Sequence, residues 1–209
     1  MITEAELREA VELVEERGLF LLFDETYRHM AAGDTLLTAA AGLSDRVISI
    51  SSMSKCYGLP GIRTGWLATR NQEILDRVLA IREQVSISNN ALSEKIAEEV
   101  LRNSGAFLAK ARERIAENRE VVAGWMAEQA DFEWVRPEAG VVCLPRIKSG
   151  KRVDPEALYR RLAEEYRTFV VPGRCFEMDE RFFRIGFGAD ADEIRTGLAN
   201  LNQALAELA

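Results

Sequence analysis

Two apolar runs constrain the fold of this chain more than any other feature. "LFLLFDE" (19–25) is a solid apolar run and "RVISISS" (46–52) a second one, both too short for spanning helices. Such runs suit strands covered on both faces in a parallel sheet. "RTGWLATR" (63–70) has the look of a third strand. Before the first run, "TEAELREAVELVEERG" opens with Thr3 and Glu6 at capping-box spacing and stops at Gly18, which predicts a helix leading into the strand.

Helical periodicity governs residues 71 to about 129, with breaks near Ser88–Asn90 and Asn103–Gly105. Beyond "RPEAG" the texture changes. "VVCLPRI", "TFVVPG" and "RFFRIGFG" read as strands, whereas "DPEALYRRLAEEY" and "DADEIRTGLANLNQALAEL" read as helices. The expected architecture is α/β: residues 1–128 form part of a parallel-sheet large domain, and residues 129–209 a smaller α+β domain.

Composition excludes several classes. The chain has 27 basic and 34 acidic side chains in 209 residues, a net charge of -7 without long single-sign runs, so neither nucleic acid nor an anionic membrane is an expected partner. Cys56, Cys143 and Cys175 have neither disulfide-frame nor zinc spacing, and the start resembles no signal peptide. The expected compartment is the cytoplasm. His29 is the sole histidine, so histidine-led triad or metal chemistry is not expected, and no metal ligands are assigned.

Chemistry concentrates where the two apolar runs end. Ligands in open parallel sheets lie beyond the carboxyl ends of strands. Asp24 ends the first run, with Tyr27 three residues later. The second run leads into "SSMSKCYGLPGIRTGW", where Lys55 follows Ser51, Ser52 and Ser54, and Arg63 lies eight residues beyond it. A lysine can form a Schiff base, an aspartate can keep a ring nitrogen protonated, and a phenol can bond a ring oxygen. A Schiff-base lysine with a partner for a pyridinium nitrogen is the signature of pyridoxal 5'-phosphate chemistry. Arg63, with Ser52 or Ser54, would supply phosphate contacts.

"DETY", "SSMSKCYGLPGIRTGW" and "FFRIGFG", in that order, resemble the class I/II pyridoxal-phosphate aminotransferases of fold type I. The resemblance implies that Asp24 pairs with the pyridine nitrogen, Tyr27 with the ring oxygen, and Ser52 and Arg63 with the phosphate. It also implies that Lys55 is the catalytic, cofactor-linked lysine, and that Arg184 grips the α-carboxylate of the substrate. The implied reaction moves an amino group between an amino acid and a 2-oxo acid. The family's upstream helix N-terminus for the phosphate, its ring-stacking aromatic and its asparagine are not found. The chain therefore reads as the C-terminal portion of such an enzyme, acting as a homodimer or with a complementing chain. Alternatives are a lyase or decarboxylase of the same fold, a non-catalytic partner-binding fragment, or a cofactor-free Schiff-base aldolase. The last leaves Arg63 and the Asp24/Tyr27 pair unexplained.

Overall fold

The computed structural model describes residues 2–31, 36–150 and 153–208, which form two compact units, Met1–Ala111 and Arg112–Ala209. The division falls inside a long helix, whereas the change of sequence texture lies at that helix's end.

In the first unit, helix α1 (Glu4–Arg17) begins at Thr3, whose hydroxyl accepts from the Glu6 N–H while the Glu6 carboxylate accepts from the Thr3 N–H. It ends at Gly18 in the left-handed region, φ 65°, a conformation that costs a residue without Cβ little. Leu7 and Val11 pack on Ala40 and Val47, with Leu21 and Phe23 partly buried beside them. Burial of those groups sets one face of a three-stranded sheet, β1 (Leu21–Asp24), β2 (Val47–Ser52) and β3 (Gly65–Ala68), in the order β1-β2-β3.

β1 and β2 are parallel, with Asp24 opposite Ile50. β3 departs from the all-parallel expectation by running antiparallel to β2, Ser52 facing Gly65. The connection from β2 to β3 is a loop with one 3-10 turn, Pro60–Ile62, and a parallel return needs a longer crossover. The expectation of cover on both faces also fails for β1: Leu22 is 62% exposed. α2 (Gln72–Val85), α3 (Ala91–Arg102) and α4 (Ser104–Ala127) follow, the first two capped by Asn71 and Asn90, so the helix breaks fall where the sequence places them. No residue of α2 is buried. Among the described residues, no helix is long and apolar enough to cross a membrane.

The second unit holds β4 (Phe132–Glu133), β5 (Val142–Cys143), β6 (Arg146–Ile147), α5 (Pro155–Glu164), β7 (Val171–Pro172), β8 (Phe183–Gly186) and α6 (Ala191–Ala206). "VVCLPRI" is two strands, not one. β5 pairs with β8 and β6 with β4, and Pro145, which cannot donate to a ladder, lies between them. The core gathers Val122 of α4, Phe132, Ile147, Leu158, Phe183 and Leu201. Asn118, also on α4, is fully buried. Its amide donates to the carbonyls of Phe187 (2.8 Å) and Ala189 (2.7 Å), which follow β8, while its Oδ1 has no partner.

Candidate active site

Parallel pairing of β1 and β2 carries Asp24 and the segment before Lys55 to the same end of the sheet. The Glu25 N–H donates to the Ile50 carbonyl (2.8 Å), which extends the register by one bond past the end of β1. The chain then turns: Asp24 Oδ1 accepts from the Thr26 N–H (2.8 Å), a local bond that fixes the carboxylate close to its own strand end. Tyr27 follows, 43% exposed, ahead of a 3-10 turn at Arg28–Met30.

The lysine loop is scaffolded from within. Met53 N–H donates to the Thr64 carbonyl and Leu59 N–H to the Met53 carbonyl, each at 3.0 Å, while Gly58 N–H donates to the Lys55 carbonyl at 3.1 Å. Gly58 adopts φ 67°, so a Cβ there would strain the turn. Met53, Cys56 and Tyr57 point into the protein and leave Lys55 exposed between them. Burial pushes the Tyr57 phenol pKa up, and its ring meets His29 and Trp66 edge-on at 5.9 and 6.3 Å between centroids.

Ser52 and Ser54 come together: their hydroxyl oxygens lie 2.6 Å apart, so one donates to the other. Arg63 sits just after the 3-10 turn with φ 54°, and its guanidinium donates to the Pro60 carbonyl at 3.0 Å. A non-glycine residue in that region is uncommon and carries local strain. Neither Lys55 nor Arg63 pairs with a carboxylate among the described residues. A Cβ on Gly65 would come within 2.7 Å of the Ser51 carbonyl oxygen, so glycine lets β3 approach the strand end that carries Ser52. An ammonium, a guanidinium and two hydroxyls without a bound acid therefore sit on one short stretch, which suits an anionic group such as a phosphate ester.

Two side-chain bonds join this stretch to the Asp24–Tyr27 loop. Ser51 Oγ donates to the Glu25 carbonyl (3.4 Å), and Cys56 Sγ donates to the Thr26 carbonyl (2.9 Å). The sequence marks Cys56 only as a cysteine outside any disulfide or zinc spacing; its place directly after Lys55 was the available signal. Glu25 is itself buried, its carboxylate accepting from the Ala40 N–H at 2.9 Å, and so braces the loop from behind.

Arg184 belongs to the second unit. It occupies β8 opposite Val171 of β7, half-buried, with its guanidinium over the Phe176 ring at 5.3 Å from the centroid. No described carboxylate pairs with it. It lines an open cavity of about 600 Å³ together with Phe169, Val170, Gly186 and Thr196. A guanidinium held by an aromatic face, with its donors unspent on acids, is suited to receive a carboxylate.

Residues 1–201 match the family described as aminotransferase class I and II. Capreomycidine synthase of Streptomyces vinaceus is 30% identical over 198 residues, covering 94% of this chain and 50% of the synthase. A probable aspartate/prephenate aminotransferase of Aquifex aeolicus is 27% identical over 214 residues, covering 98% and 54%. Among solved structures, a PLP-dependent aminotransferase from Streptococcus suis superposes with a TM-score of 0.90 at 27% identity, over 100% of this chain and 54% of that one. The chain spans about half the length of the curated relatives it matches.

Proposed function

The chain belongs to the class I and II aminotransferases, and from that premise we propose that it is the lysine-bearing portion of an enzyme that moves an amino group between an amino acid and a 2-oxo acid. The observation that carries this reading is the tie between the Lys55 turn and the Asp24–Tyr27 loop at the carboxyl end of two parallel strands.

Pyridoxal 5'-phosphate is the cofactor this residue set fits. When bound, it supplies a sink for the electron pair left as a proton departs from the substrate Cα. Asp24, a carboxylate at a strand end, holds a proton on the ring nitrogen. The Tyr27 phenol donates to the ring oxygen. Ser52, Ser54 and Arg63 bind the phosphate. The Lys55 amine, unpaired with any described acid, moves the proton to and from Cα as general base and acid. Arg184 binds the α-carboxylate and so fixes the direction of the Cα–H bond. In this reading the division at residues 128/129 separates cofactor-binding from substrate-binding sequence.

Half of a relative's length is not expected to suffice. Ile81 and Val85 of α2 are 63% and 78% exposed, and β1 and β3 each have one unpaired edge in the strand order. Exposed apolar helix surface and strand edges left open among the described residues favour association. A second copy or a complementing chain would cover them, and a homodimer is the arrangement we favour. The cytoplasm is the compartment, a placement supported by Cys56, Cys143 and Cys175, which form no disulfide. The likeness to a solved PLP-dependent cyclase, OrfR, at 28% identity favours one second reading: the same cofactor residues serving a lyase or cyclisation step in place of amino transfer.

The test is borohydride trapping in the presence of pyridoxal 5'-phosphate, followed by peptide mapping. The pyridoxyl group is expected on Lys55. Preferential labelling of any other lysine overturns the assignment. Product analysis with a 2-oxo acid acceptor separates amino transfer from the second reading.

A further inference from the structure

We infer that Cys56 is a positioning residue for Tyr27, acting through the Thr26 carbonyl; the inference rests on the cofactor reading above. Two successive peptide planes lead from Glu25 to Tyr27. The first contains the Glu25 carbonyl, which accepts from Ser51 Oγ (3.4 Å), and the Thr26 N–H, which donates to Asp24 Oδ1 (2.8 Å). The second contains the Thr26 carbonyl and the Tyr27 N–H, and Cys56 Sγ donates to that carbonyl at 2.9 Å.

Each plane is therefore held by a side chain from the lysine's segment, and the second sets the direction in which the chain enters Tyr27. Cys56 is 2% exposed, so water does not compete for its donor. Because it directly follows Lys55, one residue places the lysine outward and fastens the phenol-bearing loop inward. A thiol is a weak donor, so the contribution is one of orientation and not of bulk stability.

Cys56→Ser keeps a donor of nearly the same shape, and Cys56→Val keeps the buried volume without one. In the cofactor-free chain, amide exchange at Thr26 and Tyr27 is expected to speed up in Cys56→Val and not in Cys56→Ser, with Val47–Ile50 unchanged in both. Titration with pyridoxal 5'-phosphate, followed by the visible band, is expected to show affinity weakened about three- to tenfold in Cys56→Val and within about twofold of wild type in Cys56→Ser. In a Tyr27→Phe background the Cys56→Val loss is expected to disappear, since the position it secures no longer bears a donor. An equal loss in both backgrounds, or faster exchange throughout β2, would identify a purely structural residue and overturn the inference. A band that titrates identically in wild type and Cys56→Val overturns it while sparing the cofactor reading. A wild-type chain that gives no saturable band, alone or complemented, overturns both.

Discussion

Replacing Asn118 by alanine tests whether the segment after β8, the strand of Arg184, is held by a buried amide. The wild-type side chain is fully buried and spends both amide hydrogens on the carbonyls of Phe187 and Ala189, at 2.8 and 2.7 Å. Asn118→Ala strands a buried acceptor on Phe187 and a part-buried one on Ala189; at about 3 kcal/mol for the first and about 1 kcal/mol for the second, the two cost about 4 kcal/mol together. It also removes Oδ1, which already lacks a partner. Relief of that orphan returns about 1–2 kcal/mol, so the net loss is about 2–3 kcal/mol. For a unit of this size that lowers Tm by about 10–20 °C. Asn118→Asp should be worse at neutral pH, because a buried carboxylate would face two carbonyl oxygens. Its folded-state pKa would lie above the unfolded value, so the destabilisation grows as pH rises through the unfolded value and eases in acid. Calorimetry across pH measures both. A loss for Asn118→Ala below about 1 kcal/mol, or an Asn118→Asp protein as stable as wild type at pH 7, would refute the argument.

Asp24→Ala should reduce turnover with every amine, whereas Arg184→Ala should chiefly raise KM for amines bearing an α-carboxylate; steady-state kinetics with carboxylated and carboxylate-free amines separate the two. Burial pushes the Cys143 thiol pKa up to about 12, so iodoacetamide at neutral pH should modify the exposed Cys175 and spare Cys143 until the protein unfolds, as read by mass spectrometry. Hydrogen bonding to Arg181 holds Asp179 at about 2, and hydrogen bonding to Lys95 and Arg102 does the same for Glu98. These carboxylates are stabilising above their unfolded pKa values and lose that contribution as pH falls from about 4 toward 2. The effect should be small and reduced by salt, since all three pairs lie at the surface, and Arg181→Gln should flatten part of the acid limb of a denaturation profile.

Local chemistry was legible in the sequence and long-range pairing was not. The capping box at Thr3 and Glu6, the stop at Gly18 and the breaks at Ser88–Asn90 and Asn103–Gly105 depend on neighbours within a few residues, and the structure has them there. The direction of β3 was hidden because "RTGWLATR" carries no mark of which way it lies beside β2. The exposure of Leu22 was hidden for a related reason: an apolar run reports what a strand can bury, not whether a partner is present to bury it. Asn118 was invisible because its partners lie 69 and 71 positions away, and one polar residue in a helical stretch reads first as a solvent-facing one.

The same distinction governs the candidate site. Asp24, Tyr27, Ser52, Ser54, Lys55 and Arg63 fall within one short span because two adjacent strand ends and their loops carry them all, so a motif in order was enough to nominate them. What a motif could not supply is the fastening between those loops. That fastening comes from Ser51 and Cys56, residues with no role of their own in the expected chemistry. A strand end fixes a side chain's starting point to within the register of its ladder, but a loop residue such as Tyr27 has no ladder. Its position depends on whichever groups hold the peptides before it. Substitutions at Ser51 and Cys56 should therefore disturb Tyr27 before they disturb Asp24, whose carboxylate is anchored by the strand itself and by the Thr26 N–H.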